Sequence, residues 1–109
     1  MAQRHAQAGE IVDLRPFGKD FPSQQTTAIV KTKSFEAIRL VIPSGREIPA
    51  HEVTGDITLH CLEGRITLGI ADTECELSAG DWIYLDGGAS HRLRGIEDAS
   101  LLLTILFAQ

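Results

Sequence analysis

Apolar side chains in this chain return at every second position and almost never at helical spacing, and that period limits what the chain can fold into. Ile57-Thr58-Leu59-His60-Cys61-Leu62 alternates, Ile66, Leu68 and Ile70 alternate against Arg65, Thr67 and Gly69, and Cys75 and Leu77 alternate against Glu74, Glu76 and Ser78. Trp82 to Leu85 and the apolar run from Leu101 to Phe107 continue the pattern. Upstream, residues 10–14, 26–33 and 35–42 read as three further strands, with a looser passage through Pro16, Gly18 and Pro22. Only Ser34 to Leu40 can pass for a helical turn. Glu63-Gly64-Arg65, Ala71-Asp72-Thr73 and Ala79-Gly80-Asp81 carry turn chemistry, so the runs 57–62 and 65–70 are expected as a hairpin. Roughly nine or ten short strands with glycine-rich turns predict an all-β closed barrel or double-sheet jelly roll. Its expected core is Ile57, Leu59, Ile66, Leu68, Leu77, Ile83 and Leu103.

At 109 residues and 43% apolar composition the chain is sized for one domain spanning 1–109, with residues 1–9 expected as a tail. The formal net charge of −5, with basic residues scattered singly, excludes the clustered Lys and Arg that nucleic acid or an anionic membrane surface calls for. No stretch approaches the ~18 apolar residues needed to cross a bilayer, and MAQRHAQAGE lacks the apolar centre of a secretory signal, so a cytoplasmic protein is expected. Two cysteines are too few for a disulfide framework; Cys61 and Cys75 are expected as buried, reduced thiols.

Spacing adds a second constraint. Gly45 is followed by His51, Val53, Ile57 and Gly64, and Gly80 by Asp86, Gly88, His91 and Gly95. These intervals resemble the two motifs of the cupin β-barrel, Gly-x5-His-x-His-x3-4-Glu-x6-Gly and Gly-x5-Pro-x-Gly-x2-His-x3-Asn, and the resemblance spans about residues 38–107. It implies a cupin double-stranded β-helix, a jelly-roll barrel. In that family three histidines and a glutamate hold a metal inside the barrel. Here His51 and His91 occupy the first and last ligand positions, Val53 replaces the second histidine and Ile57 the glutamate. Asp86 stands in place of proline, and Gly95 in place of asparagine. The texture of ITLHCLEGRITL, GDWIYLDGGASHRL and LLLTILF is similar to small single-domain bacterial cupins without assigned activities, RmlC-like proteins of the conserved-barrel type.

His51 and His91 are therefore the candidate site. Two imidazoles can hold Zn, Ni, Fe, Mn or Cu weakly, whereas tight sites use three or four protein ligands. Three readings stand side by side: hydrogen-bonded structural histidines, a degenerate metal site completed by water or a bound carboxylate, and a metal-free pocket in which a histidine near its ordinary pKa of ~6.5 binds or protonates a ligand. His60 has the opposite strand parity and Asp56 adjoins the lost glutamate position; both are weighed as extra ligands. Val53, Ile57, Leu59, Cys61, Ile83 and Leu93 are the expected pocket lining.

Asp86, Ser90 and His91 crowd one loop, unlike a hydrolytic triad drawn from separate elements, and no Gly-Lys-Ser pattern follows Gly87-Gly88 to make a phosphate loop. Trp82 and Tyr84 read as core and interface residues. Two function classes remain: a module that binds or senses a small molecule, and a metal-dependent enzyme of dioxygenase or isomerase type, which the family resemblance permits. The run Leu101 to Phe107 is too apolar for one face to be solvated, and predicts a homodimer.

Overall fold

The computed structural model describes residues 5–51 and 54–107, with His51 known by its backbone alone. A short 3-10 helix, Gly18–Ser23, precedes seven strands: β1 (Thr27–Lys31), β2 (Phe35–Ile42), β3 (Glu47–His51), β4 (Ile57–Ile70), β5 (Thr73–Ser78), β6 (Trp82–Leu85) and β7 (His91–Leu106). Every pairing among them is antiparallel.

The two long strands organise the molecule. Residues 57–60 of β4 pair with β6 and residues 65–70 pair with β5, while residues 99–106 of β7 pair with β2 and residues 91–94 face β3. Because β4 and β7 also pair with each other along their length, bending both makes two sheets from one ribbon. The first is β1-β2-β7-β4-β6 and the second β3-β7-β4-β5. Their inner faces close on a core of Leu40, Ile42, Ile57, Leu59, Cys61, Ile66, Leu68, Leu77, Leu85, Leu93, Ala99, Leu101 and Leu103. Each large aliphatic side chain there contributes roughly 1.5–3 kcal/mol by leaving water. This is the expected all-β jelly roll. Of the expected core residues, Ile83 alone is only partly buried, because β6 is an edge strand.

The hairpin expected over 57–70 is instead one continuous strand. The β4–β7 register slips between Cys61 and Ile66, and at this corner Gly64 takes φ +76°. A Cβ on Gly64 would stand 2.0 Å from the Asp98 carbonyl oxygen, so the corner of β4 rests directly on the corner of β7. A glycine flanked by polar residues serves a turn or a bulge equally well. Only the partner strand decides between them, and here β7 runs past both halves.

Three other expectations are corrected. Residues 10–14 form no strand; they lead into a strap, Arg15 to Phe21, that crosses the first sheet. Cys75 is exposed on the edge strand β5, whereas Cys61 is fully buried. Trp82 and Tyr84 are 61% and 49% exposed and belong to no core. The apolar run of β7 is explained in part by alternation: Leu101 and Leu103 are buried inside, while Leu102 and Leu106 face outward. Within the tail expectation, residues 1–4 lie outside the described residues, and Ala6 donates its N–H to Ile29 O of β1.

Candidate functional site

The two ends of the barrel differ. At one end Ile42, Cys61, Ile66, Leu68, Ala99 and Leu101 are completely buried. At the other, Ile70 and Ile105 are only half-buried although β4 and β7 are central strands. This second end is the mouth, and it carries the histidine motifs. The β3–β7 and β4–β7 registers set His51 opposite His91 and His91 opposite Ile70.

His91 is 3% exposed and shares strand parity with buried Leu93, so its ring belongs to the inner face. Its Nδ1 lies 3.3 Å from the Ala89 carbonyl oxygen. A carbonyl only accepts, which assigns the proton to Nδ1 and makes Nε2 the basic atom of the ring. Directly opposite residues of an antiparallel pair share a face of the sheet, and this backbone register is all that relates His51 to His91 here. Val53 lies outside the described residues.

Ile57, Leu59, Cys61 and Leu93 sit in the core cluster, and Ile83 packs against it. Ile57, in the glutamate position, is 2% exposed and offers hydrocarbon where the family's metal site has an oxygen ligand. His60 pairs with Trp82 and Leu102 in the outward-facing register, away from the mouth. Asp56 accepts the Gly87 N–H at 2.8 Å and thereby ties the loop before His91 to the start of β4. Among the described residues no group of three or more His, Cys, Asp or Glu side chains comes together to hold a metal. The described donor set thus does not fit the four-ligand metal of the family.

The thiols divide by environment. Burial pushes the Cys61 thiol up, and its Sγ contacts the Glu63 and Gly64 carbonyl oxygens at 3.4 and 3.7 Å, so it is chemically quiet.

The largest polar cluster described lies elsewhere, and the period-two reading of the sequence passes over it. Arg39 of β2 is 6% exposed on the outer face of the first sheet. Its guanidinium lies 3.7 Å from the centre of the Phe17 ring, donates to Arg15 O at 2.8 Å and Ser100 Oγ at 3.1 Å, and meets Glu63 at 3.4 Å. The Glu63 carboxylate accepts the Phe17 and Gly18 N–H groups at 3.0 and 3.3 Å and the Ser100 hydroxyl at 2.6 Å. Arg39 Nε has no partner, so part of its desolvation is not recovered. This cluster fastens the strap to the barrel. Its sequence signal was a charge inside each of two apolar runs, at Arg39 and at Glu63.

Beside the mouth, the hydroxyl of Tyr84 donates to the carboxylate of Asp86. That bond, with the nearby negative charges, pushes the phenol up to about 12. Tyr84 is the chain's single tyrosine. A spectrophotometric titration of the phenolate band should therefore show one transition near pH 12, falling towards the ordinary value in Asp86→Asn; an unshifted wild-type midpoint near 10 would refute the bond.

A closed jelly roll with two glycine-marked histidine motifs at its mouth defines the class. The chain belongs to the cupin family: the Cupin domain family matches residues 38–107. It is 32% identical over 66 residues to an uncharacterized protein of Aquifex aeolicus (strain VF5), a match covering 61% of this chain and 54% of that one. The chain thus spans about half the length of that curated relative. Among solved structures it resembles a conserved protein of unknown function from Streptococcus pyogenes, with TM-score 0.77 at 17% identity over 100% of this chain and 96% of that one. A cupin superfamily protein from Desulfitobacterium hafniense gives 0.76 at 15% identity, with 99% of each chain covered. An RmlC-like cupin with a double-stranded β-helix fold from Methanocaldococcus jannaschii gives 0.74 at 19% over 90% of this chain and 93% of that one. Likeness at such identities speaks for the fold.

Proposed function

We propose that this cupin is a small-molecule-binding or sensing module whose ligand enters the barrel mouth and is held by His91, with His51 beside it, without the metal set of its family. The observation that carries this reading is a buried imidazole on an inner face whose other buried side chains, the Cys61 thiol apart, are hydrocarbon, at the end where Ile70 and Ile105 remain half-open. Apolar walls with one or two placed polar groups are what small-ligand sites are made of. An imidazole can accept from a hydroxyl or acid donor, and in its doubly protonated form it favours a carboxylate.

The test is a thermal-shift and calorimetric screen of tag-free protein against small carboxylic acids and phenols. A hit should weaken at least tenfold in His91→Ala, a change of about 1.4 kcal/mol, while the variant keeps its β-sheet circular dichroism. Hits whose affinity is unchanged in both His91→Ala and His51→Ala would end this reading. The backbone register of His51 with His91 favours one competitor, a two-histidine Zn, Ni, Fe or Mn site serving an enzyme. Stoichiometric metal in tag-free protein, lost together in the two alanine variants, would put that reading first.

A further inference from the structure

Glu36 breaks the chemistry of the inner face. Along β2 the side chains of Ile38, Leu40 and Ile42 belong to the core or pack against it, and they stand opposite Leu103, Leu101 and Ala99 of β7. Glu36 keeps their parity, stands opposite half-buried Ile105 and is itself partly buried. Its row across the first sheet reads Lys31-Glu36-Ile105-Ile57-Leu85. A carboxylate thus stands at the mouth two strands, or about 10 Å, from the position that Ile57 fills with hydrocarbon. Among the described residues the Glu36 side chain has no hydrogen bond and no ion pair. The cation opposite it on β1, Lys31, lies over the Phe107 ring instead, 5.8 Å from its centre.

A carboxylate set beside hydrocarbon sheds part of its hydration, and here no group of the chain replaces it. A valine at 36 would continue the alternation of β2 and cover more of the core. Local rules broken without compensation inside the chain are characteristic of functional positions. We infer, resting on the ligand site proposed above, that Glu36 selects the ligand by pairing with the ammonium group of a small amine laid across the mouth. Glu36 belongs to the first sheet and His91 to the second, and packed sheets stand about 10 Å apart. That span fits a molecule with an ammonium at one end, an apolar middle resting on Ile70 and Ile105, and a hydroxyl at the other end for the imidazole. The ammonium gives Glu36 a charge-assisted hydrogen bond. A carboxylate at the same end of the ligand meets a like charge.

4-Hydroxybenzylamine, 4-hydroxybenzyl alcohol and 4-hydroxybenzoate share one body and differ at one end, so calorimetry of tag-free protein near neutral pH reads that end alone. The amine should bind at least about tenfold more tightly than the alcohol, and the benzoate more weakly than either. Glu36→Gln, which keeps the shape and removes the charge, should weaken the amine at least about tenfold and leave the alcohol within about twofold. An amine bound no better than the alcohol, an amine affinity unchanged in Glu36→Gln, or no binding by any of the three would overturn the inference. His91→Ala separates it from the reading beneath. An alcohol or benzoate weakened by His91→Ala, beside an amine indifferent to Glu36→Gln, removes the role of Glu36 and leaves the ligand site standing. An amine weakened by Glu36→Gln and indifferent to His91→Ala keeps the Glu36 pairing and ends the reading of His91.

Discussion

Glu63→Ala is expected to lower the unfolding free energy by about 3 kcal/mol, because removing one partner of a buried pair leaves the other charged and unsatisfied. Glu63 and Arg39 side chains are 13% and 8% exposed, so water can do little to replace the lost carboxylate. The Phe17 and Gly18 N–H groups and the Ser100 hydroxyl lose their acceptor at the same time. For a domain of this size the loss corresponds to a fall in Tm of roughly 12–20 °C. Glu63→Gln keeps an acceptor oxygen and should lose about half as much. Thermal unfolding of the three proteins checks the ordering. Equal stability of wild type and Glu63→Ala would mean that the strap contributes nothing to the fold.

The same carboxylate has a pH signature. Burial pushes the Glu63 carboxyl up, but the Phe17 N–H, the Ser100 hydroxyl, the Gly18 N–H and the Arg39 charge outweigh it and hold it below its ordinary 4.5. A group whose folded pKa is depressed stabilises fully above its unfolded value, and the stabilisation is lost as pH falls through the folded one. Wild-type stability should therefore drop below about pH 4.5 more steeply than that of Glu63→Gln, and the two curves should run parallel from pH 6 to 8.

Gly64→Ala is the second large effect. A left-handed backbone costs a side-chain-bearing residue about 1–2 kcal/mol. Here the new methyl group also meets the Asp98 carbonyl oxygen 2.0 Å away, in main chain that cannot rotate aside. Relief requires the corners of β4 and β7 to separate, which opens the ladder joining the two sheets. A total loss of at least about 3 kcal/mol is expected, or failure to fold at 37 °C. Gly45, also at positive φ but with open space around it, is the control and should lose only the backbone part, about 1–2 kcal/mol. Chemical denaturation of the two alanine variants tests this; similar losses at both positions would show that Asp98 gives no resistance.

Strand identity was legible because alternation is a local property. Ile57, Leu59, Ile66, Leu68, Leu77 and Leu103 announce their buried side by period alone, and all are buried. The motif spacings likewise carry the family, because they count residues along the chain. Strand continuity was not legible. Glu63-Gly64-Arg65 is compatible with a turn and with a bulge, and β7, some thirty residues downstream, selects the bulge by pairing on both sides of it. Edge position was hidden too: Cys75 shares the parity of buried Leu77 and faces Leu68, yet β5 pairs on one side only and Cys75 reaches solvent.

The candidate site divides along the same line. Sequence by itself determined which residue types stand at the mouth, the histidines at 51 and 91 and the hydrocarbon at 57, because motif spacing counts bonds along the chain. Tertiary structure alone decided what surrounds them: that Asp56 holds the Gly87 loop, that His60 stands beside Trp82, and that Arg39, Glu63 and Ser100 meet around the strap. Those relations join residues up to 61 positions apart, as Arg39 to Ser100 are. No local rule reaches that far, because sheet pairing, and not chain neighbourhood, determines which side chains share a face.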